Sequence, residues 1–193
     1  MNSDAELMLK ARQGDQAAFN QLVIRFQSAL VNFFYKLIWD RCEAEDFAQE
    51  VFVKVYLARA SYQDKSKFST YLFRIATNYW IDYLRTKGKH RKPVSLDKEI
   101  GQGEDTNQLA NMITSGQLTP EEIVLRREQM ARTRQAIDSL PEEQKIVFIL
   151  SETQGMKYQE IAETLDVPLG TVKSRIHAAV LKLRAVLTAK GVV

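Results

Sequence analysis

Apolar residues in this chain return every three or four positions and almost never every second one. Leu7, Phe19, Leu22, Val23, Phe26, Leu30, Phe33 and Leu37 form the first such series, over residues 4–38. A period near 3.6 buries one face of a helix, whereas a half-buried strand needs a period of two. No alternating β-branched run and no Asn-Gly or Asp-Gly hairpin turn occurs. The expected fold class is all-α. One or two helices are predicted over 4–38, and others over about Glu43–Ala60, Lys67–Arg85, Tyr158–Leu165 and Leu169–Leu187. Thr119-Pro120-Glu121-Glu122 predicts a helix start: Thr caps, Pro takes the first helical position and Glu122 reaches back. Ser139-Leu140-Pro141-Glu142-Glu143 predicts a second start of the same kind.

Composition narrows the class further. With 45% apolar and 26% charged residues the chain is neither wholly disordered nor collagen-like. Its 193 residues suit one or two small domains. No apolar run approaches the ~18 residues of a membrane span, and the acidic start leads into no apolar stretch. No membrane insertion and no secretory signal are therefore expected, and the cytoplasm is the expected location. Cys42 stands alone, which excludes an internal disulfide framework and a Cys-built zinc site; it is read as a small buried hydrophobe. Charge is unevenly allotted. Residues 1–92 carry 15 Lys/Arg against 10 Asp/Glu, residues 93–120 carry 1 against 4, and residues 121–193 carry 11 against 10. The middle block is also rich in Gly, Asn, Gln and Ser/Thr, too poor in apolar surface to order itself. The expected organisation is two small helical domains, 1–92 and 120–193, joined by a flexible acidic linker over 93–119.

The C-terminal domain carries a helix-turn-helix pattern. Ile161, Ala162 and Leu165 supply the inner face of a first helix, and Ala162 is small where two helices cross. Asp166 falls where a left-handed residue is often required, and Val167 plugs the turn. Val172, Ile176, Ala179 and Leu183 mark the buried stripe of the second helix. Thr171, Lys173, Ser174 and His177 are left outward near its N-terminus, where a recognition helix touches base edges. Lys173 suits a guanine, Thr171 and Ser174 a phosphate or base, and Arg175, Lys182 and Arg184 the backbone. A plain helical hairpin with a solvated polar face would carry the same residues.

Two features stand out in the N-terminal domain. Glu43, Asp46 and Glu50 lie at i, i+3 and i+7, so three carboxylates share one helical face. Like charges at that spacing destabilise a lone helix by a few tenths of a kcal/mol per pair, which a basic partner would offset. The second feature runs from Lys65 to Arg85. Phe68, Leu72, Ile75 and Tyr79 form a stripe assigned to the core. Tyr71, Arg74, Asn78, Asp82 and Arg85 form another, with a ring for stacking, an amide for base edges and guanidiniums for phosphate. Lys87, Lys89, His90, Arg91 and Lys92 extend it into a basic tail that suits a phosphate backbone. A solvated acidic helix start and an ordinary core helix with a basic tail are the plainer readings.

Taken together, these strings resemble the extracytoplasmic-function (ECF) class of bacterial RNA polymerase sigma factors, over nearly the whole chain. Gly14-Asp15 with Ala18-Phe19 resembles the family's opening, Ala44 to Phe52 its polymerase-docking helix, and Phe68 to Asn78 with Ile81-Asp82 and Leu84-Arg85 its promoter-melting helix. Leu140 to Gln144 and Val167 to His177 resemble its −35-binding domain. Tyr71 stands where the family usually has Trp, and Ala178 where many members carry Arg.

The resemblance implies roles. Glu43, Asp46, Gln49 and Glu50 would face a basic coiled coil on the clamp of core RNA polymerase. Asp64, Lys65, Ser66, Lys67 and Phe68 would help hold a base flipped from the −10 element. Tyr71, Arg74, Asn78, Asp82 and Arg85 would lie along the −10 strand or its upstream duplex. Thr171, Lys173, Ser174, Arg175 and His177 would bind the −35 duplex, and their domain would also meet the polymerase flap. The two promoter elements would lie roughly 17 base pairs, about 58 Å, apart. A 27-residue linker extends to roughly 90 Å and spans that gap. The family also implies an anti-sigma factor as a partner. The alternative is a helix-turn-helix regulator with an N-terminal sensor or dimerisation domain, which has no use for a single-strand stacking face. No phosphate-binding Gly loop, metal-ligand cluster or nucleophile–base set is present, so no enzyme, cofactor or metal is expected.

Overall fold

In a computed structural model of the chain, residues 3–89 and 119–188 are described. Residues 90–118, which hold most of the expected linker and His90, Arg91 and Lys92, lie outside them. Every regular element among the described residues is helical, as the periodicity requires. The N-terminal half contains α1 (Asp4–Arg12), α2 (Gln16–Ile38), α3 (Arg41–Leu57) and α4 (Phe68–Lys89). The C-terminal half contains α5 (Pro120–Asp138), α6 (Glu142–Phe148), α7 (Tyr158–Leu165) and α8 (Leu169–Thr188). None of these helices is long and apolar enough to cross a membrane.

Local chemistry sets most of the boundaries. Ser3 Oγ accepts the Glu6 N–H while the Glu6 carboxylate accepts the Ser3 N–H, which closes the start of α1. Gly14, at φ +100°, divides α1 from α2 in a conformation that strains any residue with a Cβ. Asp15 then caps α2 and Asp40 caps α3. Thr119 and Glu122 form the predicted reciprocal cap on α5, at 3.3 and 2.8 Å. Asp166 is left-handed, φ 53°, at the joint between α7 and α8.

The second predicted start differs. Pro141 holds the cap position of α6, and no side chain caps it. Because α5 runs on to Asp138, Ser139 still belongs to its last turn, and its hydroxyl donates back to the Ala136 carbonyl at 2.7 Å. Cys42 is exposed at the start of α3 rather than buried.

The N-terminal core is aromatic. Phe47 sits edge-on or tilted to Tyr83 at 4.7 Å, Tyr79 at 5.2 Å, Phe34 at 5.5 Å and Trp80 at 6.4 Å. Such pairs add roughly 0.5–1.5 kcal/mol each beyond their area. On α4 the deepest apolar residues are Phe68, Leu72, Phe73, Ala76 and Trp80, whereas Ile75 and Tyr79 are only half-buried. The single stripe expected from spacing is too narrow. One side of α4 packs on α3 and the other on α7, so its buried arc widens toward the C-terminal half. The halves share one apolar cluster, to which α6, α7, α8 and the π turn Ile149–Thr153 contribute. A second cluster, of Ala136, Ile137, Leu140, Ala179 and Leu183, is packed by Trp39 from the N-terminal half.

Replacing Phe47 by Ala removes the hub of the aromatic cluster and should cost about 3–5 kcal/mol of stability by urea unfolding. The same truncation at Ile24, 76% exposed, should stay within about 0.5 kcal/mol.

Candidate polymerase and nucleic-acid interfaces

Three surfaces collect the residues singled out by the sequence. The first is on α3. Asp46, Gln49 and Glu50 are exposed, and no hydrogen bond or ion pair holds their side chains among the described residues. Glu43 is different. It accepts the Tyr83 hydroxyl at 2.5 Å and lies 3.8 Å from Lys87 Nζ, so its charge is answered within the chain. Burial, then the hydrogen bond to Glu43, pushes the Tyr83 phenol well above its usual range. The acidic face therefore offers two carboxylates rather than three. Spacing alone missed what continues it: Val53 and Leu57 are 52% and 71% exposed and stand three and seven residues beyond Glu50. The readable signal was the register, since positions 46, 49, 50, 53 and 57 fall on one helical row.

The second surface is α4 and the loop before it. Arg74, Asn78, Asp82 and Arg85 are exposed along one row, as their spacing requires. Arg85 pairs with Asp82 at 3.4 Å in an exposed i,i+3 contact, which is weak and easily exchanged. Tyr71 is half-buried, its ring 5.1 Å from Tyr62 and 6.3 Å from Phe68, and burial raises its pKa. One edge of the ring is thus committed to packing. Phe68 is 2% exposed and belongs to the core. It anchors the loop from within, because a loop leading into a core helix needs an apolar plug, and it forms part of the lining of the loop cavity. Asp64, Lys65 and Lys67 are exposed, and Ser66 is half-buried. With Phe68 and Ser69 these residues line a cavity of about 460 Å³, to which Ser3, Asp4 and Ala5 at the start of α1 also contribute. A second groove, about 420 Å³, runs between Lys54 on α3 and Asn78, Tyr79, Asp82 and Tyr83 on α4.

The third surface is the helix-turn-helix. Val172, Ile176, Ala179 and Leu183 are buried as predicted, which turns Lys173, Ser174 and His177 to solvent. Thr171 is half-buried, and Ser174 donates its hydroxyl proton to the Thr171 carbonyl at 3.0 Å. Arg175 is held back by an ion pair with Glu143 on α6.

Residues 22–90 match the family model for sigma-70 region 2, and residues 130–183 match that for sigma-70 region 4. The chain is 36% identical to the ECF RNA polymerase sigma factor SigW of Bacillus subtilis, covering 89% of this chain and 92% of that one. It is 35% identical to the ECF sigma-E factor of Escherichia coli strain K12, covering 92% and 90%. The chain belongs to the ECF sigma factors. Its function is to bind RNA polymerase and direct it to promoters, and such factors assist initiation without being enzymes. The fold of this sigma factor is similar to that of CnrH, solved in complex with the cytosolic domain of CnrY, with a TM-score of 0.71, 24% identity and coverage of 97% and 99% of the two chains. It is also similar to RpoE of Bartonella quintana, solved with the anti-sigma factor NepR, at TM-score 0.62, 21% identity and coverage of 88% and 96%. The match of residues 22–90 leaves the sensor-domain alternative unfavoured.

One contact joins two of these surfaces. Lys67 Nζ lies 2.6 Å from Glu160 Oε1 on α7, and Glu160 Oε2 accepts the Lys157 N–H at 3.1 Å. The Lys67 hydrogen bond outweighs burial, which acts the other way, and together with the Lys157 N–H holds Glu160 below the usual carboxylate range. A carboxylate lowered on folding contributes stability above its unfolded pKa and loses it as pH falls through the folded one. Glu160→Gln should therefore lower the urea midpoint at pH 7. Its difference from the parent should shrink as pH falls below about 4.3, the ordinary glutamate value.

Proposed function

We propose that the two halves divide promoter recognition between separated and intact DNA. In this reading residues 1–92 form the unit that docks on core polymerase and captures the −10 element. Residues 120–193 form the unit that grips the −35 duplex, and 93–119 links them. The exposed α4 row of Arg74, Asn78, Asp82 and Arg85 carries the reading, since it pairs cations with an amide on a helix abutting an acidic docking face. Asp46, Gln49 and Glu50 meet a basic surface of the polymerase clamp, with Val53 and Leu57 as its apolar continuation. The loop residues Asp64 to Phe68 border the cavity for an extruded base. Lys173 and His177 read the −35 major groove, Thr171 and Ser174 contact its edge or phosphates, and Arg175 joins them on release from Glu143. An anti-sigma factor is a further partner, supported by the complex of the similar Bartonella protein with NepR. The cytoplasm, where polymerase works, is the proposed location.

The test is reconstitution. Core polymerase plus this chain should yield transcripts from start sites that core alone does not use. Asp46→Lys with Glu50→Lys should weaken binding to core at least tenfold in competition against the parent chain. Unchanged docking would remove the α3 assignment. Lys173→Ala should cost about 1–3 kcal/mol of holoenzyme binding to a −35-containing duplex while leaving core binding intact.

A further inference from the structure

We propose that the described arrangement is a closed state of the sigma factor, in which the C-terminal half covers part of the −10 face and is latched there by the chain's two tryptophans. This rests on the assignment of α4 and its preceding loop to single-stranded DNA.

Three observations carry it. First, the groups needed for DNA are spent between halves: Lys67 on the Glu160 carboxylate and Arg74 on the Glu163 carbonyl at 3.3 Å. Both acceptors lie on α7, so a carboxylate and a carbonyl oxygen stand where phosphate oxygens would be expected. Second, the sequence holds two Trp residues, both in the N-terminal half, and each indole N–H donates to a carboxylate of the other half. Trp39 Nε1 reaches Asp138 Oδ1 at 3.0 Å, and Trp80 Nε1 reaches Glu142 Oε1 at 2.5 Å. The buried Lys145 binds the same two carboxylates, at 3.2 and 3.8 Å, and so holds both acceptors in place. Third, the Gln154 side chain donates to the Ala29 carbonyl at 3.1 Å, a fixed point on the opposite side of the seam.

A charge-neutral variant tests this without touching the proposed DNA residues. Trp39→Phe with Gln154→Ala deletes two seam donors and leaves Asp138 paired with Lys145 and Arg134. The full-length variant should keep its far-UV helicity and show a radius of gyration by X-ray scattering several Å above the parent's. It should bind a mixed-sequence single-stranded 20-mer at least fivefold more tightly. An unchanged radius, or an unchanged affinity at intact helicity, overturns the proposal. The parent chain gives a check that does not depend on the variant folding. Saturation with the same 20-mer should raise acrylamide quenching of the tryptophans about twofold, and no rise would also overturn it. Neither core polymerase nor a promoter enters these measurements, so their failure is distinct from a failure to direct initiation.

Discussion

The structure depends on one helix meeting two demands at once. α4 must bury Phe68, Leu72, Phe73, Ala76 and Trp80 deeply enough to hold a small domain together, and must still present Arg74, Asn78, Asp82 and Arg85 to solvent. A helix of 22 residues can do both only if its apolar anchors are large, because few positions per turn remain available to the core. Hence the aromatic character of this half. Each ring removes more surface from water than an aliphatic side chain would, and edge-to-face contacts fix the angle at which α4 crosses α3. A misplaced α4 would disperse the polar row along with the core.

Acidic groups play opposite parts on the two sides of that helix. On α3, Asp46 and Glu50 stay hydrated and unpaired among the described residues, a state that costs the lone chain a little and rewards a basic partner. On α5, α6 and α7, Asp138, Glu142 and Glu160 are satisfied by cations and indole donors. Glu43 shows how fine the division is. It lies one turn from Asp46 yet belongs to the second class, because Tyr83 and Lys87 on α4 reach it. Tyr79 lies between the two worlds: burial and the nearby Glu50, Asp46 and Glu43 charges all raise its pKa.

What the sequence made legible was local. The Thr119–Glu122 cap, the left-handed Asp166, the α8 stripe and the exposed α4 row each follow from spacing within one or two turns. What it concealed was tertiary. The widened arc of α4 exists because α7 packs beside it, and α7 is some 80 residues away. Ser139 reads as a cap until the length of α5 is known. Trp39 is left-handed at φ 59° with no glycine or asparagine to announce it, and is held instead by its ring packing near Lys36 and Arg134 and by Asp138. The family resemblance identified strings and their order; it carried no information about which donors were already occupied by the other half.

The seam between the halves mixes two kinds of contact with different consequences. Apolar burial by Ile149, Leu150 and Ile161 contributes non-directional affinity of about 25 cal/mol per Å² covered, and would accept many relative orientations. The indole–carboxylate and lysine–carboxylate bonds are directional and select one. The Lys67–Glu160 pair is two-thirds exposed on the lysine side, so salt and competing phosphates weaken it readily. A seam of this composition closes in a defined geometry and opens against a polyanion. Its exposed cations exchange a carboxylate for a phosphate at little net cost, while the apolar remainder must be covered again by whatever larger surface the opened protein meets.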